Sequence, residues 1–293
     1  MKVDNAIIMA AGMSSRFVPL SYEKPKALLE VKGEILIERQ IRQLMEAKVP
    51  EIYIVVGYKA QQLAYLQKKY GVKLINNTEY RTRNNHSTIW AARSILRNSY
   101  VCSADNYFTR NPFEKEVDES YYAAKYAEGF TEEWCMKEDE KGYINSVTVG
   151  GRNSWYMLGH TFWSETFSKS FLDILQTEYD YPETAGKLWE KIFIEHLDVL
   201  KMRIRKYDEH DIFEFDTLDE LRFFDETYKN NTRSVILKNI ASKLNVTEES
   251  IIHITPIKKE IQKENVHGFT FDCVGIHYTY TGDITNGRIN TEN

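Results

Sequence analysis

The chain has 293 residues, 42% of them hydrophobic, enough for a full core in one large domain plus an appendage rather than two equal halves. Lys and Arg total 38 against 43 Asp and Glu, a net charge of −5. That balance excludes a general nucleic-acid or membrane-surface binder, so an anionic substrate must be met by a local positive patch. Cys102, Cys135 and Cys273 are widely spaced with no CxxC pair, and no run is apolar enough for a signal peptide or a membrane span. A soluble cytoplasmic protein with reduced thiols is expected. The sequence sets no oligomeric state.

In chain order, apolar strands alternate with amphipathic helices over the first hundred residues. Strands are predicted at Ala6–Met9, Ile52–Val56, Lys73–Ile75 and Tyr100–Ser103, and helices at Leu36–Ala47, Ala60–Tyr70 and Ser87–Leu96. This alternation predicts right-handed crossovers and an α/β fold, Rossmann-like, with a mostly parallel sheet flanked by helices. Its ligands bind outside the carboxyl ends of the strands. From Ser120 the pattern turns β-rich, with strands at Tyr121–Tyr126, Trp134–Lys137, Tyr143–Val149 and Trp155–Trp163 and a turn at Lys141-Gly142. Helices Glu165–Thr177 and Thr184–Leu197, a strand Met202–Tyr207, the run Asp211–Asp216 and a helix Leu218–Tyr228 close a first domain, residues 1–230. Lys229–Thr232 reads as a polar linker to an appendage, residues 231–293. The appendage holds a helix Val235–Leu244, short strands Ile251–Ile254 and Thr270–Cys273, a solvated turn at Lys258-Lys259-Glu260 and a frayed last dozen residues.

Chemistry concentrates in the first thirty residues. The strand runs into Ala10-Ala11-Gly12-Met13-Ser14-Ser15-Arg16, followed by Pro19 and by Pro25-Lys26-Ala27-Leu28. Small residues let the backbone approach a bulky anion, the amides can donate to phosphate oxygens, and Arg16 and Lys26 add fixed positive charge. The loop is neither a GxxxxGK[ST] phosphate loop nor a three-glycine dinucleotide fingerprint. Asp105 follows a buried strand and is a candidate Mg²⁺ ligand, with a turn cap as the competing reading. Glu214 and Asp216, two apart on a predicted strand, would face one way as further ligands. Alternatively they are a solvated edge, with Asp216 capping the helix at Leu218. Trp134, Trp155, Tyr156 and Trp189, with Glu128, Glu133 and Glu190 near some of them, could hold a quaternary ammonium. The tryptophans fit core packing equally well.

The opening loop resembles that of nucleotidyltransferases. Val56-Gly57-Tyr58, Tyr70-Gly71-Val72, Asn84-Asn85, Ala104-Asp105-Asn106-Tyr107, Thr131-Glu132-Glu133-Trp134 and Ile212-Phe213-Glu214-Phe215-Asp216 extend the resemblance to bacterial CTP:phosphocholine cytidylyltransferases over roughly residues 1–230. The resemblance implies CTP and phosphocholine as substrates, CDP-choline as product, Mg²⁺ dependence, and metal binding by Asp105 and Asp216. It implies nucleotide contacts from Ala10–Ser15, Gly57, Asn85, Ser87, Thr88 and Ala104, and choline contacts from Glu128, Trp134 and the Trp189 region. Two departures stand out. Ser14 replaces a usual glycine, and Leu188 stands where a tyrosine precedes the second tryptophan. A transferase acting on 2-aminoethylphosphonate or a sugar 1-phosphate, or a non-catalytic nucleotide sensor, are the rival readings. Residues 251–259 and 268–275 resemble the opening of choline-kinase-like domains. No His-x-Asp or Asp-Phe-Gly follows, so no kinase activity is expected. The tail reads as a remnant, a docking module or the stump of a longer protein, and its removal is expected to leave catalysis largely intact.

Overall fold

The burial of whole strands sets the architecture. Every residue of Ile52–Val56 is buried, as are five of six in Asn5–Ala10, the signature of parallel strands covered on both faces. The computed structural model describes residues 1–257, 267–284 and 286–291. The predicted turn at Lys258-Lys259-Glu260 therefore lies outside the described residues. The chain forms two compact units, residues 1–12 with 34–214 and residues 13–33 with 215–293. The division thus falls at 214/215, and the opening loop groups with the C-terminal segment.

The first unit is built on a seven-stranded sheet. Its strands are β1 (Asn5–Ala10), β2 (Ile52–Val56), β3 (Lys73–Asn76), β4 (Ser99–Ser103), β5 (Tyr121–Glu138), β6 (Ile144–Trp163) and β7 (Arg203–Lys206). They are ordered β7-β5-β6-β4-β1-β2-β3. Neighbours are parallel except where β6 runs antiparallel to β4 and β5. Helices α1 (Leu36–Glu46), α2 (Tyr65–Tyr70), α3 (His86–Ala91), α4 (Glu165–Glu178) and α5 (Trp189–Glu195) accompany it. Leu36, Ile37, Ile41 and Leu44 bury one face of α1. The core gathers Ile7, Val101, Tyr122, Trp163, Phe171, Trp189 and Phe193.

Several of the predicted elements change shape. The helix expected at Ala60–Tyr70 is a 3₁₀ turn (Ala60–Leu63) followed by α2, stopped by Gly71 at φ +71°. The helices expected at Ser87–Leu96 and Thr184–Leu197 shorten to α3 and α5, the latter preceded by a 3₁₀ turn at Pro182–Thr184. The four β-rich segments merge into β5 and β6, whose pairing absorbs register shifts at several points, including between Ala127 and Phe130. The run Asp211–Asp216 is a strand only at Ile212–Phe213, paired antiparallel with Tyr107–Phe108.

The second unit contains α6 (Leu218–Phe224), α7 (Thr227–Asn230), α8 (Val235–Leu244) and a four-stranded antiparallel sheet. Its strands β8 (Ile251–Pro256), β9 (His267–Cys273), β10 (Ile276–Gly282) and β11 (Arg288–Thr291) pair in sequence order. The helix expected at Leu218–Tyr228 breaks at Asp225, whose carboxylate accepts from the Lys32 and Thr227 amides. The expected linker is absent. Lys229 and Asn230 end α7, Tyr228 and Thr232 are fully buried, and Thr232 donates to the Glu248 carboxylate. Nor does the end fray as expected, since β11 pairs with Tyr278–Thr281. Among the described residues no helix is long and apolar enough to cross a membrane.

Candidate active site

In the first unit, β1 delivers Ala10 and Ala11, both buried, to a turn beside the end of β2. The Tyr58 amide donates to the Ala11 carbonyl at 3.0 Å. A Cβ at Gly57 would lie 2.8 Å from Cγ of Tyr80 and 2.9 Å from the Ala11 oxygen, so only glycine allows this approach. Ala11 and the Gly57-Tyr58 backbone are therefore in close contact. Tyr80, which forms the back of this contact, carries no sequence motif and was not anticipated.

Asn85 also has a specific task. Its side-chain oxygen accepts from the Trp189 amide at 2.7 Å, and its amide nitrogen donates to Glu190 at 3.0 Å. Ser87 and Thr88, expected against the nucleotide, are 1% and 4% exposed. Both hydroxyls are hydrogen-bonded to Asn77 at 2.9 and 3.2 Å, and Ser87 also donates to the Asn84 carbonyl. They hold the turn together from inside and offer no hydroxyl to a ligand.

The loop after β4 is clamped by α1. The buried Gln40 donates to the carbonyls of Ser103 (2.7 Å) and Asn106 (3.1 Å), while Arg39 and Gln43 donate to that of Phe108. Ala104 is tied back to the Met9 carbonyl. Between these anchors Asp105 stays part-exposed at the carboxyl end of the sheet, where ligands of such sheets bind. The loop that carries its carboxylate thus has a rigid support that no local motif announces.

Glu214 stands apart from its predicted role. The strand ends at Phe213, so the strand spacing expected to align Glu214 with Asp216 does not reach either residue. Asn106 donates to Glu214 at 3.3 Å, and the Glu214 charge helps raise the phenol pKa values of Tyr122 and Tyr156, behind burial and behind Glu190 and Glu133 respectively. Glu133 acts on Tyr156 in the same sense, and Glu190 meets the Tyr122 hydroxyl at 3.4 Å. Burial pushes the Glu190 carboxyl up to about 7, against hydrogen bonds from Asn85 and Tyr122 that favour its charge. Three carboxylates, Glu133, Glu190 and Glu214, thus act on two tyrosines, an arrangement sequence spacing did not reveal.

The expected choline residues fare unequally. Trp134 is part-buried against the core on β5, opposite Val149. Glu128 is exposed in the register shift before Phe130. Trp189 is a correction. It is 1% exposed, stacked on Tyr122 and packed edge-on to Trp163 and Phe171, so it has no free face for a cation.

The second unit holds the cations. Arg16 pairs with Asp216 at 2.7 Å, and Lys26 Nζ lies 3.7 Å from the same carboxylate and 5.7 Å from the centre of the Phe17 ring. Asp216 is free for this because Thr217 caps α6, accepting from the Glu220 amide. The capping role considered for Asp216 thus belongs to its neighbour. Arg16 is 72% exposed, and an exposed pair of this kind is worth only about 0–1 kcal/mol, so phosphate oxygens can readily take it over. Lys26, by contrast, is 6% exposed and fixed. Met13 and Ser15 are exposed on this loop, and Ser14 adopts φ +50°, the left-handed region where a glycine would be unstrained.

Among the described residues no three His, Cys, Asp or Glu side chains gather closely enough to hold a metal ion by themselves. Mg²⁺ commonly takes one or two carboxylates and completes its shell with water and substrate phosphates. Asp105 and Asp216 are carboxylates of that kind. Glu214 is better placed against Asn106 and the tyrosines.

The comparisons with known proteins agree with this picture. Residues 6–119 match the MobA-like NTP transferase domain. The choline-phosphate cytidylyltransferase of Streptococcus pneumoniae is 31% identical over 225 residues, 77% of this chain and 98% of the relative. The 2-aminoethylphosphonate cytidylyltransferase of Lancefieldella rimae is 33% identical over 234 residues, 78% of this chain and 95% of the relative. A solved structure of the CTP:phosphocholine cytidylyltransferase of Streptococcus pneumoniae superposes with a TM-score of 0.73 at 31% identity, covering 78% of this chain and 99% of that one. The inositol-1-phosphate CTP transferase of T. maritima, at 14% identity and a TM-score of 0.57, shares the fold.

Proposed function

This chain belongs to the family of nucleotidyltransferases that includes the choline-phosphate and 2-aminoethylphosphonate cytidylyltransferases, and from that premise we propose that it converts CTP and phosphocholine to CDP-choline and pyrophosphate. A phosphate oxygen of the acceptor attacks the α-phosphorus of CTP, the bond to the bridging oxygen breaks, and pyrophosphate leaves. What supports the acceptor is the likeness to choline-phosphate cytidylyltransferases over nearly their whole length. Beside it stands the part-buried Tyr156, whose ring has the Glu133 and Glu214 carboxylates acting on it. An aromatic face with nearby negative charge suits a cationic headgroup.

The chain's own groups divide the work. Lys26 and Arg16 meet the charge of the triphosphate and of the incoming phosphate. The Ala10–Ser15 backbone and Gly57 give the nucleotide a close approach, and Asn85 ties this region to the Glu190 carboxylate. Asp105 and Asp216 would hold Mg²⁺, which when bound neutralises phosphate charge and orients the reacting oxygens. Trp134 and Glu128 complete the headgroup side.

One observation favours a second reading. With Trp189 in the core and Leu188 beside it, the headgroup region has more carboxylates than free aromatic faces. That balance also suits the primary ammonium of 2-aminoethylphosphonate. Pyrophosphate release with Mg²⁺ and CTP, measured in parallel with phosphocholine, 2-aminoethylphosphonate and glucose 1-phosphate, separates the readings. Release with phosphocholine alone supports the proposal; release with the phosphonate alone replaces it. Silence with all three alongside CTP binding points to a nucleotide sensor.

A further inference from the structure

Removal of residues 233–293 is expected from the sequence to leave catalysis largely intact, yet the loop that carries Arg16 and Lys26 is fastened to Ser234–Ile236 and Gly268. Between those cations in sequence lies the short helix Leu20–Glu23. The Glu23 carboxylate accepts from the Ser234 hydroxyl at 2.6 Å and from the Val235 and Ile236 amides at 3.0 and 3.1 Å. Ser234 in turn accepts from the Leu237 amide. The first three amides of the ten-residue α8, which have no partner within the helix, are thus satisfied, two of them by a residue from the other end of the chain. The adjacent Tyr22 donates to the Gly268 carbonyl at 2.8 Å, and its ring lies 6.4 Å from that of Phe269.

We propose that Glu23 is a positioning residue for the transferase reaction, and that the C-terminal helix and sheet are a working part of the phosphate-binding loop. The inference rests on the transferase reading for the roles of Arg16 and Lys26. Its physical basis lies within one compact unit. A carboxylate at a helix N-terminus is favoured both by the orphan amides and by the helix dipole, and here that attraction fixes the loop between its two cations. Lys26 lies three residues beyond Glu23, on a 3₁₀ turn, so release of the cap frees the segment that holds its ammonium against Asp216. Misplacement of a reacting group by about 1 Å can cost on the order of 100-fold in rate.

The test compares Glu23→Ala, Glu23→Gln and Tyr22→Phe in the full chain, with kinetics for each substrate and amide hydrogen exchange of residues 13–28. Glu23→Ala should raise KM for CTP about tenfold and lower kcat, leave KM for the acceptor unchanged, and speed exchange in the loop. Glu23→Gln keeps an acceptor oxygen and should recover most of the loss. Tyr22→Phe, which keeps the ring, should shift the same quantities less, and it carries the test if Glu23→Ala fails to fold. A role in stability alone would reduce the folded fraction and leave both KM values untouched, and that outcome overturns the proposal. So does unchanged exchange in residues 13–28. If the parent chain releases pyrophosphate with no acceptor, the function reading fails, while the exchange comparison still decides whether Glu23 holds the loop.

Discussion

The loops after β1 and β4 leave neighbouring parallel strands, with Met9 opposite Ser103, and are held by opposite means. The second is short and clamped locally, with Gln40, Arg39 and Gln43 of one helix taking three of its carbonyls. The first is long, passes through a left-handed Ser14, and is fastened by Glu23 and Tyr22 to residues more than two hundred positions away. The loop that carries Asp105 thus has its geometry fixed by the sheet's own helix. The cationic loop depends on a segment that lies beyond the region resembling the transferases.

Breaking the clamped loop at its chemistry should have the largest effect. Asp105→Ala is expected to lower turnover by about 100-fold or more, the scale seen when a group stabilising transition-state charge is lost. Near-normal pyrophosphate release at saturating Mg²⁺ would remove Asp105 from the site. Breaking the same loop at its support should be milder. Gln40→Ala strands the carbonyls of Ser103 and Asn106 and should destabilise by about 1–3 kcal/mol, read in a denaturant titration, with kcat falling and KM for CTP little changed. A loss confined to KM for CTP would mean that the two loops are not held independently.

A third test sharpens the acceptor side through pH. Burial raises the Glu190 carboxyl from its ordinary 4.5 to about 7, so the folded state holds this proton more tightly than the unfolded chain does. Its contribution to stability is complete below pH 4.5 and is lost as pH rises through about 7. Headgroup binding runs the other way, because a cation needs the ionised carboxylate. KM for the acceptor should therefore fall as pH rises through about 7, and Glu190→Gln should flatten that dependence while melting at a higher temperature than the parent at pH 8. A slope that survives in Glu190→Gln assigns the titration to another group. The smallest effect belongs to Ser14→Gly. Relieving φ +50° should stabilise by about 1 kcal/mol or less without changing turnover, and a drop in melting temperature would show that the serine side chain is needed there.

Much of this protein was legible in one dimension. Apolar runs bounded by polar turns fixed β1 to β4, and the face of Leu36, Ile37, Ile41 and Leu44 fixed α1, because burial of a strand or helix face leaves its period in the sequence. The loop Ala10–Arg16, Lys26, Asp105 and Asp216 stand out in the sequence as candidates because phosphate chemistry demands small residues, fixed cations and hard carboxylates. Only the tertiary structure separated Asp216 from helix capping, moved Trp189 into the core, turned Ser87 and Thr88 inward and set Glu214 against Asn106. It also attached the opening loop to α8. Each of those decisions is a choice of partner made across the chain. A glutamate, a tryptophan or a serine has the same composition and local spacing whichever partner it takes, so its role is settled by what folding brings within hydrogen-bonding reach.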